Sequence, residues 1–368
     1  MLKSARGIVI SLVVLAIGAS VAQVQAATTA KASAKKQALN KSATKRKAGS
    51  GKGVAKKASV ASSGKLTKTV RIAHSRSQPV YPRFGYSPAE SKAAPILTAG
   101  DMAGLHMTHD PLALKSNAAL VVDQGSSQVL FEKNSNIALP IASLTKLMTA
   151  LVVVEARQNM DEVLEVTSDD IDREKNSSSR LRVGSQMTRA NMLHIALMSS
   201  ENRAASALGR HYPGGLPAFV AAMNAKAKAL GMTEAHFVDS TGLSSRNVAS
   251  ARDLARLVVA ASKHPVIREY STDSKYAVNA GRGYQLNYMN SNRLVMSPDW
   301  EIDLQKTGYI SEAGRCLVMQ TRIEGRPVVM VFLDSKGKYS RLADASRIRK
   351  WLQMSGPQAL ALTAANQS

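Results

Sequence analysis

Two short apolar runs flank Gly125-Ser126 in "AALVVDQGSSQVLFEKN" (118–134) and predict a pair of strands joined as a hairpin. The next segment, 140–158, changes period. Leu147, Ala150, Leu151 and Val154 recur at helical spacing, which predicts a helix starting near Ser143. A second helical run, "MTRANMLHIALMSSENRAASALGRHY", has an apolar stripe of Met192, Ile195, Ala196 and Met198 and a polar break over residues 199–202. Helices are also predicted for "LPAFVAAMNAKAKALG" and "SARDLARLVVAASKH", the latter with Leu254, Leu257, Val258 and Ala261 on one face. Strand-like runs follow in "EIDLQKTGYI", "GRCLVMQTRIEG" and "RPVVMVFLDS", and "RLADASRIRKWLQ" reads as a closing helix. Two strands, a block of helices, three strands and a final helix predict an α+β domain: an antiparallel sheet flanked by helices, with a helical subdomain inserted. No internal repeat is visible.

The first hundred residues follow none of these patterns. Residues 1–26 carry Lys3 and Arg6, then the apolar run "IVISLVVLAIGA", then Val24-Gln25-Ala26, which reads as a cleavable export signal. The run falls short of the roughly 20 apolar residues that span a bilayer. Residues 27–105 are rich in Ala, Lys and Ser without a periodicity that could bury a face, and are read as a disordered basic tether. Composition therefore splits along the chain. Of its 49 Lys and Arg, 17 precede Glu90, the first acidic residue, leaving 32 basic against 26 acidic residues in the remainder. The tether's charge would suit nucleic acid in another compartment; export instead points to an anionic wall polymer or lipid headgroups, or to a plain spacer. A single cysteine, Cys316, excludes an internal disulfide and reads as a small buried side chain on a strand. His194, on an apolar helical run, reads as a core histidine.

Ser143 and Lys146 stand three apart, hence on one helix face. A serine hydroxyl needs a base to act as a nucleophile. Lysine serves only when neutral, and keeping it mostly neutral near pH 7 costs about 4 kcal/mol against its usual pKa of about 10.4. Burial, a helix N-terminus and a second cation all push that way. The spacing alone says little, because Ser33/Lys36, Ser42/Lys45, Ser62/Lys65 and Ser335/Lys338 share it. Only Ser143 opens a long apolar helix. Ser200-Glu201-Asn202 fills the polar break of the second helical run, 57 residues on, and is preferred to the similar Ser245-Arg246-Asn247 in a Gly-containing loop. Lys306-Thr307-Gly308 lies on a strand predicted at a sheet edge, where a lysine and a hydroxyl on one face would hold a carboxylate and the glycine would admit backbone. The order S-x-x-K, S-x-N, K-T-G is the triple of β-lactamases and penicillin-binding proteins.

From about residue 110 to 354 the chain resembles the low-molecular-mass penicillin-binding proteins, D-alanyl-D-alanine peptidases of bacterial cell walls, and within them the endopeptidase branch. "IASLTKLM", "MSSENRAASALGRHYPGG", "FVDSTGLS", "NSNRLV", "LQKTGY" and "DASRIRKW" carry the likeness. The resemblance implies a β-lactamase/transpeptidase-like fold over residues 106–355 and an acyl-enzyme on Ser143. Lys146 would take its proton, Ser200 would relay a proton to the leaving amine, and Asn202 would hold the substrate amide. Lys306 and Thr307 would bind the substrate carboxylate, and the N–H groups of Ser143 and Tyr309 would form the oxyanion hole beside Gly308. Implied partners are cross-linked stem peptides of peptidoglycan and β-lactams as covalent inhibitors; no cofactor, metal or nucleic acid is implied. Glu201 stands where carboxypeptidase relatives have glycine, which implies a more acidic and bulkier rim. Residues 356–368 are read as a short tail without a basic amphipathic face, which points to a periplasmic enzyme cutting cross-bridges.

Four alternatives are weighed at this stage. Carboxypeptidase trimming would use the same residues. A class A β-lactamase would need a glutamate in an E-x-x-L-N run between Asn202 and Lys306, and none occurs. A metallopeptidase is disfavoured because none of the seven histidines forms H-E-x-x-H. A catalytically silent wall-peptide binder is the reading from a different class.

Overall fold

The structure is a computed structural model that describes residues 97–281 and 283–365. The export signal and residues 27–96 of the basic tether lie outside the described residues. Helix α1 (Ala99–Met102) is capped by the Thr98 side chain, and a 3-10 turn (Leu105–Met107) follows it. Strands β1 (Ser116–Asp123) and β2 (Val129–Lys133) form the hairpin predicted around Gly125. After β3 (Leu139–Pro140) comes a 3-10 turn (Ala142–Leu144) and helix α2 (Thr145–Glu155). Strands β4 (Val163–Glu165) and β5 (Gln186–Thr188) pair across a long loop. Helices α3 (Arg189–Met198), α4 (Asn202–Arg210) and α5 (Gly215–Ala229) follow. Strand β6 (Val248–Ala249) pairs with β3 and leads into α6 (Ala251–Ala261) and α7 (Pro265–Thr272). A hairpin of β7 (Lys275–Asn279) and β8 (Gln285–Met289) precedes β9 (Glu301–Ile310), β10 (Gly314–Ile323), β11 (Arg326–Ser335) and α8 (Ser340–Ala365).

The main sheet has the order β2-β1-β11-β10-β9 and is antiparallel throughout. Its central strands are buried on both faces, and the period of two sorts their side chains. Ala119, Val121, Leu317, Met319, Met330 and Phe332 pack with Ile348 and Leu352 of α8. Their neighbours Ala118, Leu120, Val318, Val329 and Val331 pack instead with the helical block, α2 and α6 among it. Strand β9 is an edge of this sheet, as predicted, and only one of its sides is hydrogen-bonded into it. Its register sets Lys306 opposite Val318 and Gly308 opposite Cys316, on the face that looks toward the helices. That alternation is what points the Lys306 amine into the helical block.

The folded unit begins earlier than the boundary expected at residue 106. Thr98 donates to Asp334 Oδ2 (2.7 Å), and the Ala99 N–H donates to the Glu312 carbonyl (2.9 Å), so residues 98–105 belong to the domain and not to the tether. The sequence signal there was a capping box, Thr98 with Asp101, too short to show as periodicity. Thr98→Ala removes both the cap and a donor to a buried carboxylate. It is expected to lower the unfolding free energy by about 2 kcal/mol, read as a fall in Tm. At the other end the last helix runs on to Ala365, past the tail boundary expected at 356.

Candidate active site

Ser143 sits in the 3-10 turn that feeds α2, a turn built under strain. Ala142 holds φ +48, a conformation that residues with a Cβ rarely adopt, and the Ala142 carbonyl accepts from Thr145 Oγ1 (2.8 Å). Two glycines permit it. A Cβ on Gly242 would lie 2.0 Å from the Ala142 oxygen, and one on Gly308 would lie 3.1 Å from the Ser143 nitrogen. The K-T-G strand therefore lies directly against the serine turn.

Lys146 is 1% exposed. Its Nζ donates to Ser143 Oγ (2.9 Å), to Asn202 Oδ1 (2.7 Å) and to the Thr241 carbonyl (2.6 Å). Burial holds its pKa down to about 8, against the opposing pull of Asp239, Glu201 and Asp172. Lys306 is fully buried and reaches Ser200 Oγ (2.9 Å) and the Thr307 carbonyl (2.9 Å). Burial also pushes Lys306 well below the ordinary lysine range, and the Lys146 and Arg341 charges add to this. Ser200 occupies the break between α3 and α4 with φ +66, which turns its hydroxyl out of the helical path. Asn202, the first residue of α4, has its amide nitrogen on Ser177 Oγ (2.8 Å).

Two Ser–Lys pairs thus meet in one cleft, joined by the short span from Ser200 to Asn202. Ser143, Lys146, Ser200, Asn202, Lys306 and Gly308 all converge. The pairs Ser335/Lys338 and Ser245/Asn247 do not. Ser335 Oγ bonds Ser340 (2.7 Å) at the end of β11. Asn247 is buried and structural: its amide donates to Asp239 Oδ2 (2.7 Å) and its oxygen accepts from the Val238 N–H (2.9 Å). Thr307 pairs with Leu317, and its hydroxyl donates to Ser291 Oγ (2.7 Å). Lys306 and Thr307 alternate along β9, but the Thr307 hydroxyl reaches the edge of the cleft: its partner Ser291 donates through its N–H to the Met198 carbonyl (2.8 Å), at the end of α3 beside Ser200. Tyr309 is exposed, with the Arg315 guanidinium 4.4 Å from its ring centre.

Glu201 is also corrected. It is 7% exposed and turned inward, where it accepts from Ser179 Oγ (2.6 Å), Tyr288 OH (3.3 Å) and the Arg203 N–H (3.3 Å). It fastens the 172–185 loop and β8 to the start of α4, and adds neither bulk nor free charge to the rim. The buried phenol of Tyr288 is pushed far up by burial and by this carboxylate.

Four supporting groups were missed in sequence. The Thr241 carbonyl is presented by a turn that Asp239 organises, accepting from the N–H groups of Thr241 and Gly242 (both 2.6 Å). Ser177 holds Asn202, and Ser291 holds Thr307. "FVDSTGLS" and "NSNRLV" contain three of these four, but a serine or aspartate in a loop has no spacing that announces its partner. Cys316 is buried, its thiol pushed up to about 12 by burial. His194 is stacked between Tyr270 and Tyr276, ring centres 4.3 and 3.8 Å away, with Asp273 3.0 Å from Nε2; it is a core histidine.

A sheet edge carrying one lysine, set against a helix start carrying a serine and a second lysine, is the arrangement of a serine peptidase. The chain belongs to the peptidase S11 family, D-alanyl-D-alanine carboxypeptidase, whose family model matches residues 105–337. A relative from Pseudomonas aeruginosa named D-alanyl-D-alanine endopeptidase is 49% identical over 241 residues, 65% of this chain and 78% of that protein. The crystal structure of the Streptomyces K15 DD-transpeptidase superposes with a TM-score of 0.61 at 26% identity, covering 66% of this chain and 98% of that one. Penicillin-binding protein D2 from Listeria monocytogenes, in a cefotaxime-bound form, gives a TM-score of 0.58 at 28% identity over 66% of this chain and 98% of that one. The fold is therefore the penicillin-binding protein fold. Among the described residues no helix is long and apolar enough to cross a membrane.

Proposed function

We propose that the protein is a serine D-alanyl-D-alanine endopeptidase that cuts peptide cross-links of peptidoglycan in the periplasm and is trapped by β-lactams. The observation that carries the reading is the buried Lys146 amine, 2.9 Å from Ser143 Oγ with its pKa held to about 8. Ser143 attacks the carbonyl of the D-alanyl bond while Lys146 takes its proton, and the N–H groups of Ser143 and Tyr309 receive the oxyanion. Ser200, held by Lys306, passes a proton to the leaving amine. Asn202 holds the substrate amide, and Thr307 with Lys306 takes the substrate carboxylate. That carboxylate favours the charged form of Lys306, and the charge in turn favours the neutral amine at Lys146. Water then releases the acyl group. The endopeptidase relative at 49% identity favours cross-link cleavage over trimming. The basic segment before residue 97 is proposed to hold the enzyme to anionic wall polymer or lipid headgroups, and its deletion to weaken retention more at low than at high salt.

Cross-linked and uncross-linked muropeptides are incubated with the purified protein and the products weighed. Dimers are expected to fall to monomers, and benzylpenicillin to add one acyl group per chain. An intact dimer pool and no adduct would overturn the reading. The base assignment also sets a pH profile. With a pKa of about 8, Lys146 is neutral in about one molecule in ten at pH 7. The acylation rate is expected to rise about tenfold from pH 6 to 7 and to level off above pH 8. A rate that is flat from pH 6 to 9 would exclude Lys146 as the base.

A further inference from the structure

The cleft continues past Ser200 and Asn202 into a cavity of about 330 Å³, walled also by Ser179, Arg180, Glu201, Tyr288 and Met289. Two features give its direction. It borders Ser200, the residue assigned to pass a proton to the leaving amine, which sets it on the side where that amine departs. It is also walled by β8, which runs two residues on to Ser291, the partner of the Thr307 hydroxyl that takes the substrate carboxylate. A trimming reaction releases one amino acid, whose carboxylate Thr307 and Lys306 already hold. A cavity of this size beyond them is superfluous for that reaction.

Its wall holds one cation and one carboxylate, and only the cation, Arg180, is exposed. Arg180 is exposed over the cavity, its guanidinium 5.3 Å from the Tyr288 ring and anchored through Nη1 on the Asn287 carbonyl. Arg182 lies over the Tyr284 ring (5.1 Å) on the same loop, and Arg203 ties that loop to α4 through the Leu181 carbonyl (2.6 Å). The one carboxylate in the wall, Glu201, is occupied by Ser179, Tyr288 and the Arg203 N–H. Guanidinium groups prefer planar, two-oxygen anions, and a stacked, anchored arginine loses little freedom in binding one.

We infer that this cavity is the subsite for the acceptor strand of the cross-link, an acidic stem peptide, with Arg180 as the cation that recognises a carboxylate on it. The inference rests on the endopeptidase reading and deepens it: Arg180 is a specificity residue for a long acidic leaving group. The Glu201 clamp is what holds the Arg180 loop in place.

The test compares the intact protein with its Arg180→Gln and Arg180→Glu variants on three probes: a cross-linked muropeptide dimer, the same dimer with its acceptor-stem carboxylates amidated except the one beside the scissile bond, and benzylpenicillin. The ratio of kcat/KM for the acidic dimer to the penicillin acylation rate is expected to fall about tenfold in Arg180→Gln and further in Arg180→Glu. The parent is expected to prefer the acidic over the amidated dimer by a similar factor, and Arg180→Gln to lose that preference. An unchanged ratio, or an acidic preference that survives in Arg180→Gln, would overturn the subsite. Failure of the underlying reading looks different: the parent itself would neither cleave the dimer nor form the penicillin adduct.

Discussion

Lys146→Met is expected to slow acylation of Ser143 by benzylpenicillin by about 10³- to 10⁴-fold, the span a positioned general base contributes. Methionine fills much of the buried volume but offers no amine, so the Ser143 hydroxyl keeps its proton. The Asn202 and Thr241 oxygens, which now accept from Nζ at 2.7 and 2.6 Å, lose their donor as well. A companion variant separates base from charge. Lys146→Arg keeps a cation that does not deprotonate at working pH, and is expected to be as slow as the methionine variant. Far-UV circular dichroism and Tm on both proteins show whether the fold survives. An arginine variant acylated at the parental rate would show that the site needs a positive charge there and not a proton acceptor.

Much of this site was legible before any coordinates, and the reasons differ residue by residue. Ser143 and Lys146 were visible because helical periodicity starts beside them, so an ordinary spacing acquired a burial context. Lys306 was visible because Lys306-Thr307-Gly308 lies on a strand-like run and follows S-x-x-K and S-x-N in order. The sheet itself was legible from its long two-faced strands, whereas the short pairs β3 with β6 and β4 with β5 span two or three residues, too few for any period to show. Glu201 was misread because the rim reading rested on glycine standing there in relatives, which says nothing of what the longer side chain touches. Its actual partners, Ser179 and Tyr288, lie 22 and 87 residues away. The same limit hid the Asp239 turn: its carboxylate works on backbone N–H groups, and any loop aspartate could do so.

Two serines in the cleft each lie 2.9 Å from a buried lysine amine, so proximity to a base does not by itself select the nucleophile. Backbone geometry does. Ser143 lies at the entry to α2, where unpaired N–H groups and the positive helix end favour a developing oxyanion, and Gly308 brings β9 against its nitrogen. Ser200 hangs in a break between two helices and has no comparable donor pair. Ser143→Ala is therefore expected to remove the penicillin adduct completely. Ser200→Ala is expected to acylate about 10²-fold more slowly, from the loss of proton relay, yet to reach one adduct per chain with the acyl group on residue 143. Peptide mapping of the labelled proteins reads both outcomes. A Ser143→Ala protein labelled at Ser200 would exchange the two roles, and would assign Lys306 and not Lys146 as the base.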